Sequence, residues 1–243
     1  MDIAMPDIIF LQLIAFLGGF VQGLTGFGVV LVTLPLMALL IDIKTAIPLI
    51  ILLGLVINLM LIYQLKGHFE LKKWLPILIA SYPGIPLGIY IHQTVSQRPL
   101  EILVGIVLVL TTANTWLDVR PARPLASLWA WISGFIAGCL AGSIGASGPP
   151  VIIYTSLQPW TKAEIKSTLV AFFMINGMGV CAFYFFHGFF TPRIAGLFGW
   201  CLLPLAAGVL AGSRLYGRLN DRIYRQAVLV LLGVLGLLML FKG

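Results

Sequence analysis

The chain has 243 residues, of which 60% are hydrophobic and only 9% charged, and its mean hydropathy is +1.06. A water-soluble domain carries about 25% charged residues, so this composition excludes a soluble enzyme, and it excludes a disordered chain as well. The net charge of +7 does not indicate a nucleic-acid binder, because the basic residues sit in the gaps between apolar stretches and form no single patch.

Reading apolar runs between charges and breakers gives ten helical segments, at 8–25, 29–41, 46–65, 74–95, 99–117, 127–143, 149–158, 165–187, 193–213 and 223–241. A bilayer asks for about 20 apolar residues per helical span. Eight segments meet that length; 29–41 and 149–158 do not. Each short segment follows a cluster of small residues: Thr25-Gly26-Phe27-Gly28 before the first, and Ser143 to Gly148 before the second. The N-terminal MDIAMPD is acidic where a secretory signal needs basic residues, so it reads as the start of a mature membrane protein. Cys139, Cys181 and Cys201 all lie inside apolar stretches and read as small apolar filler, with no disulfide or metal site.

The order of segments repeats. Gly19-Phe20-Val21-Gln22-Gly23 matches Gly134-Phe135-Ile136-Ala137-Gly138. Lys44 and Asn58 match Lys162 and Asn176 at the same separation, Gly84 and Gly88 match Gly208 and Gly212, and Arg98 matches Arg222. The reading is two halves, 1–117 and 127–243, joined by a linker at 118–126. Five segments per half place the second half upside down relative to the first. With ten crossings, 11 of the 15 Lys and Arg fall on one side and 4 on the other; with the short segments left out the split is 8 against 7. The positive-inside rule therefore favours ten, with both termini outside and the basic loops in the cytoplasm.

Inverted repeats with short or broken helices at matching positions are the architecture of many secondary transporters, whose substrate sites lie at those breaks near the membrane midplane. The expectation is an all-α membrane protein whose tips at Thr25–Gly28 and Ser143–Gly148 approach each other there. Glycine lets a chain turn sharply and lets a solute reach backbone amides. Pro149 and Pro150 suit a first helical turn. A helix start offers N–H groups and the positive end of its dipole to an anion. Thr25, Ser143 and Ser147 add hydroxyl donors. The candidate substrate contacts are Gln22, Thr25, Gly26, Phe27, Gly28, Asn58, Ser143, Gly145, Ser147, Gly148, Pro149 and Asn176. Gln22 has no polar counterpart at Ala137, which makes it an asymmetric contact.

Around these tips the sequence resembles a known family. Gly19-Phe20-Val21-Gln22-Gly23-Leu24-Thr25-Gly26-Phe27-Gly28 with Leu34-Pro35, and Gly134-Phe135-Ile136-Ala137-Gly138 with Gly142, Gly145, Gly148 and Pro149, are similar to the two signatures of the sulfite exporter family TauE/SafE. The resemblance covers nearly the whole chain. It implies transport of small sulfur-containing anions such as sulfite, sulfonates or thiosulfate across the bacterial inner membrane. Ser147, where many members have glycine, and the bulky Phe27 depart from the family pattern.

The remaining polar residues have plainer readings. Asn58 and Asn176 either bond helix to helix or line the path. Lys44 and Lys162 read as interfacial lysines, as do His68 and His187 as segment-end residues. Gly18, Gly19, Gly134, Gly84, Gly88, Gly208 and Gly212 read as helix-packing positions. No Asp or Glu falls at the centre of a segment, so no midplane carboxylate relay is visible. Uniport and proton-coupled transport both remain open, as does a channel for the same anion. An intramembrane enzyme lacks its catalytic set, and a scaffold has no use for broken spans. The expected partners are a small anion, with or without protons, and the lipid bilayer; no cofactor and no nucleic acid is implied.

Overall fold

The computed structural model describes residues 5–64, 70–117, 125–215 and 221–241. Most of the 118–126 linker, His68, and the basic residues Lys66, Arg120, Arg123, Arg218 and Lys242 lie outside the described residues. Among those described there are ten helices and no strand. They are α1 (Met5–Thr25), α2 (Val29–Met37), α3 (Ile43–Gln64), α4 (Leu71–Thr94), α5 (Gln97–Leu117), α6 (Ser127–Ile144), α7 (Gly148–Ser156), α8 (Lys162–Phe186), α9 (Pro192–Leu215) and α10 (Asp221–Phe241). Every expected segment is a helix in the expected order. Both short segments are confined to nine residues. Six helices (α1, α3, α4, α6, α8 and α9) are long and apolar enough to cross a membrane, against the eight long segments expected; within α10 the described apolar stretch is Leu229–Phe241.

Local chemistry sets several of the boundaries. Thr161 and Glu164 form a capping box that opens α8, the hydroxyl accepting from the Glu164 N–H while the carboxylate accepts from the Thr161 N–H. Gly145 closes α6 in the left-handed conformation at φ 71°, with the Ala146 N–H reaching back to the Leu140 carbonyl.

Small residues decide which helices touch most closely. α1 packs on α9, and α6 on α4. A Cβ added at Gly19 or Gly23 would be driven into the carbonyls of Leu205 or Val209. One added at Gly84, Gly88, Gly138 or Gly142 would meet the backbone of the α4–α6 partner. Without a hydrophobic force between helices in lipid, such backbone approach is a main source of attraction, so Gly19, Gly84 and Gly88 do the packing expected of them, and Gly23, Gly138 and Gly142 join them. The two tight pairs share one plan. Exchanging α1–α5 with α6–α10 turns the α1–α9 contact into α6–α4, α3–α9 into α8–α4, and α2–α10 into α7–α5.

The residue register gives directions. Ser81 meets Gly138, Ile85 meets Gly142 and His92 meets Ser143, so α4 and α6 run parallel. Lys73 meets Glu164, Ser81 meets Asn176 and His92 meets Tyr184, so α4 and α8 also run parallel. If α6 and α8 both point the way of α4, α7 must carry the chain back to the side where α6 began. That return is the geometry assumed in the charge count. Lys166, counted there among the loop charges, is instead buried in the first turns of α8, 8% exposed, with its aliphatic stem under Gly26.

Candidate functional site

The two breaks, between α1 and α2 and between α6 and α7, form two elbows that meet one cavity of about 70 Å³. A single water needs about 10–15 Å³ by the same measure, so this space admits a solute of several heavy atoms. Gly28 to Leu31 line it from the first elbow, Gly145 to Pro149 from the second, and Gln22, Asn58 and Asn176 complete its polar surface. Ile50, Ile51, Gly54 and Leu55 of α3, and Phe173, Gly177 and Val180 of α8, supply an apolar wall. Val29 meets α3 at Gly54, and Gly145 meets it at Ile47 and Ile51. The elbows therefore reach α3 within about one turn of each other, near the middle of that helix.

The first elbow needs glycine for its backbone. Gly26 and Gly28 sit at φ 83° and 107°, a region that costs an L-residue about 1–2 kcal/mol. Gln22 holds the elbow from below. Its Oε1 accepts from the Val29 N–H at 3.1 Å, and its Nε2 donates to Asn58 Oδ1 at 2.9 Å. This side chain is 2% exposed, and it does the work of an N-cap from a position seven residues upstream. The Val30 and Leu31 N–H groups, at the second and third positions of α2, have no acceptor within the helix, and both residues line the cavity.

The second elbow is built differently. Pro149 and Pro150 occupy the second and third positions of α7, which removes two N–H groups. The Gly148 N–H and the Ser147 hydroxyl remain; Ser147 makes no capping hydrogen bond. The last carbonyls of α6 are held instead. Tyr184 Oη donates to the Gly142 carbonyl at 2.7 Å, and His92 Nδ1 lies 3.0 Å from the Ser143 carbonyl. A carbonyl only accepts, so Nδ1 carries the proton. His92 is 1% exposed and packs against the rings of Tyr184 and Phe189, with centroids at 5.4 and 4.9 Å.

Of the residues proposed from sequence, the structure brings Gln22, Gly28, Asn58, Gly145, Ser147, Gly148, Pro149 and Asn176 to the cavity. Thr25, Gly26, Phe27 and Ser143 are not in its lining. The Thr25 hydroxyl donates to the Val21 carbonyl and accepts from the Phe27 N–H. The Ser143 hydroxyl donates to the Cys139 carbonyl at 2.8 Å. These two hydroxyls hold the elbows together. Sequence reasoning missed His92 and Tyr184. A signal for His92 was present: it follows Gly84 and Gly88 at intervals of four, on the helix face that packs on α6.

Among the described residues, none lining the cavity carries a charge, and there is no cluster of His, Cys, Asp or Glu able to hold a metal. Several apolar spans, two half-length helices and a solute-sized cavity with polar groups between their starts define a multi-pass membrane protein. Residues 11–239 match the sulfite exporter TauE/SafE family, and the chain belongs to that family. No curated protein matches it.

Proposed function

We propose that this protein is a secondary transporter that moves a small sulfur-containing anion, of the sulfite, sulfonate or thiosulfate class, across the bacterial inner membrane. One observation carries the reading: two glycine elbows, each opening a nine-residue helix, line a single uncharged cavity together with two buried asparagines. The anion sits between the elbows near the midplane. The Val30, Leu31 and Gly148 N–H groups, the Ser147 hydroxyl and Asn58 Nδ2 donate to its oxygens, and the positive ends of α2 and α7 add to its stabilisation. The two halves, 1–117 and 127–243, act as inverted repeats, supported by the exchangeable packing plan. Both termini face the periplasm. Rocking of the paired halves exposes the cavity to each side in turn.

The test is reconstitution. Purified protein is screened by thermal shift against small oxyanions and sulfonates, then loaded into liposomes for tracer flux with the best binder. Saturable flux with counterflow is the expected result. Absence of flux from folded, reconstituted protein overturns the reading, and flux that never saturates replaces the carrier with a channel.

A further inference from the structure

The two asparagines in the cavity occupy equivalent places in the two halves, yet the hydrogen-bond chains behind them fix their amides with opposite polarity. Each chain ends on a backbone group whose role cannot change. In the first, the Val29 N–H can only donate, so the Gln22 atom it meets is the carbonyl oxygen. Gln22 then presents its NH₂ to Asn58, Asn58 accepts through Oδ1, and its Nδ2 is left over. In the second, the Leu78 carbonyl can only accept, so the Ser81 hydroxyl spends its single hydrogen there, at 2.7 Å. Ser81 Oγ must therefore accept from Asn176, which turns its Nδ2 toward it at 2.8 Å and leaves Oδ1 over. Both asparagines line the cavity and are buried, 6% and 1% exposed. Among the described residues neither leftover atom has a hydrogen-bond partner.

The cavity thus receives a donor from Asn58 and an acceptor from Asn176. A buried acceptor left unmatched costs binding, and a fully deprotonated oxyanion or a plain alkylsulfonate has nothing to give it. We propose that the solute is a small monoanion bearing its own hydrogen-bond donor, an oxyanion in its hydrogen form or a hydroxy-substituted sulfonate. Its oxygens take the donors at the elbows, and its own O–H meets Asn176 Oδ1. This rests on the anion-transport reading and names the form of the anion.

The experiment compares methanesulfonate with hydroxymethanesulfonate, equal in charge and differing by one hydroxyl, in binding and in liposome flux with the full chain. The wild-type protein should bind the hydroxylated anion about tenfold more tightly, the ratio expected when a buried acceptor is satisfied. Asn176→Leu should bring the ratio near one. Because that variant also loses the helix-to-helix bond, Ser81→Ala is the second arm. It removes the group that orients the amide, leaves Asn176 in place and should also reduce the preference to within about threefold of unity. Equal binding of the two sulfonates by the wild-type protein overturns the inference and leaves the transporter reading intact, as does a preference that survives both variants. Failure of folded protein to bind any anion overturns both.

Discussion

The two elbows occupy equivalent places and do different chemistry. The first is rich in donors: a side chain, Gln22, satisfies the leading N–H of α2, and the next two N–H groups are left for a guest. The second is poor in donors: two prolines erase the N–H groups at the same positions of α7, and stiffness comes from Tyr184 and His92 gripping the end of α6. The lesson is that a duplicated packing plan constrains the backbone path and the close glycine contacts, while the polar groups offered at the centre diverge freely.

The largest expected effect comes from filling the shared space. A Cβ at Gly148 meets only Ile152 and Phe173, at 3.4 Å or more, so Gly148→Leu should fold, with thermal stability close to wild type, while liposome flux falls to background. Gly28, at φ 107°, cannot serve as the mirror experiment, because any side chain there strains the backbone. Next is Gln22→Ala, which strips the first elbow of its cap and leaves the Val29 N–H and Asn58 unmatched. It should cost about 2–3 kcal/mol in an unfolding titration in detergent, and should reduce flux more than stability alone explains. Tyr184→Phe, the corresponding injury to the second elbow, removes the side-chain hydrogen bond that holds the Gly142 carbonyl near the end of α6. About 1 kcal/mol is expected by the same titration. The smallest effect is also the sharpest test: Pro149→Ala restores an N–H at the second position of α7 and makes the second elbow resemble the first. Anion binding by thermal shift should tighten about threefold; weaker binding would mean that this elbow offers no donors to the solute.

Much of this arrangement could be read before any coordinates. Segment lengths, the short helices after Gly28 and Ser147, and the matched interval from lysine to asparagine all follow from hydropathy and small-residue spacing, which act locally along the chain. The glycine faces of α1, α4, α6 and α9 read as packing surfaces because small residues at intervals of four have few other uses in lipid. What could not be read depends on how distant segments meet. Gln22 reads as an asymmetric substrate contact until α3 brings Asn58 beside it. His92 reads as a segment-end residue until the end of α6 arrives against it. Lys166 reads as a loop cation until the first elbow covers its stem. Hydroxyls mislead for a related reason: Thr25 and Ser143 find carbonyls within four residues of themselves, which is the default for such side chains.

The tight glycine pairs also bear on biogenesis. α1 is made first, but the helix that fills its groove is α9, and α4 likewise waits for α6. α1 must rest in the membrane with its notched face against lipid or an insertion factor until synthesis is nearly finished, and α4 until the second half has begun. Neither half, expressed alone, holds the partner for its own grooves, so the separated halves should be degraded singly and rescue each other when made together.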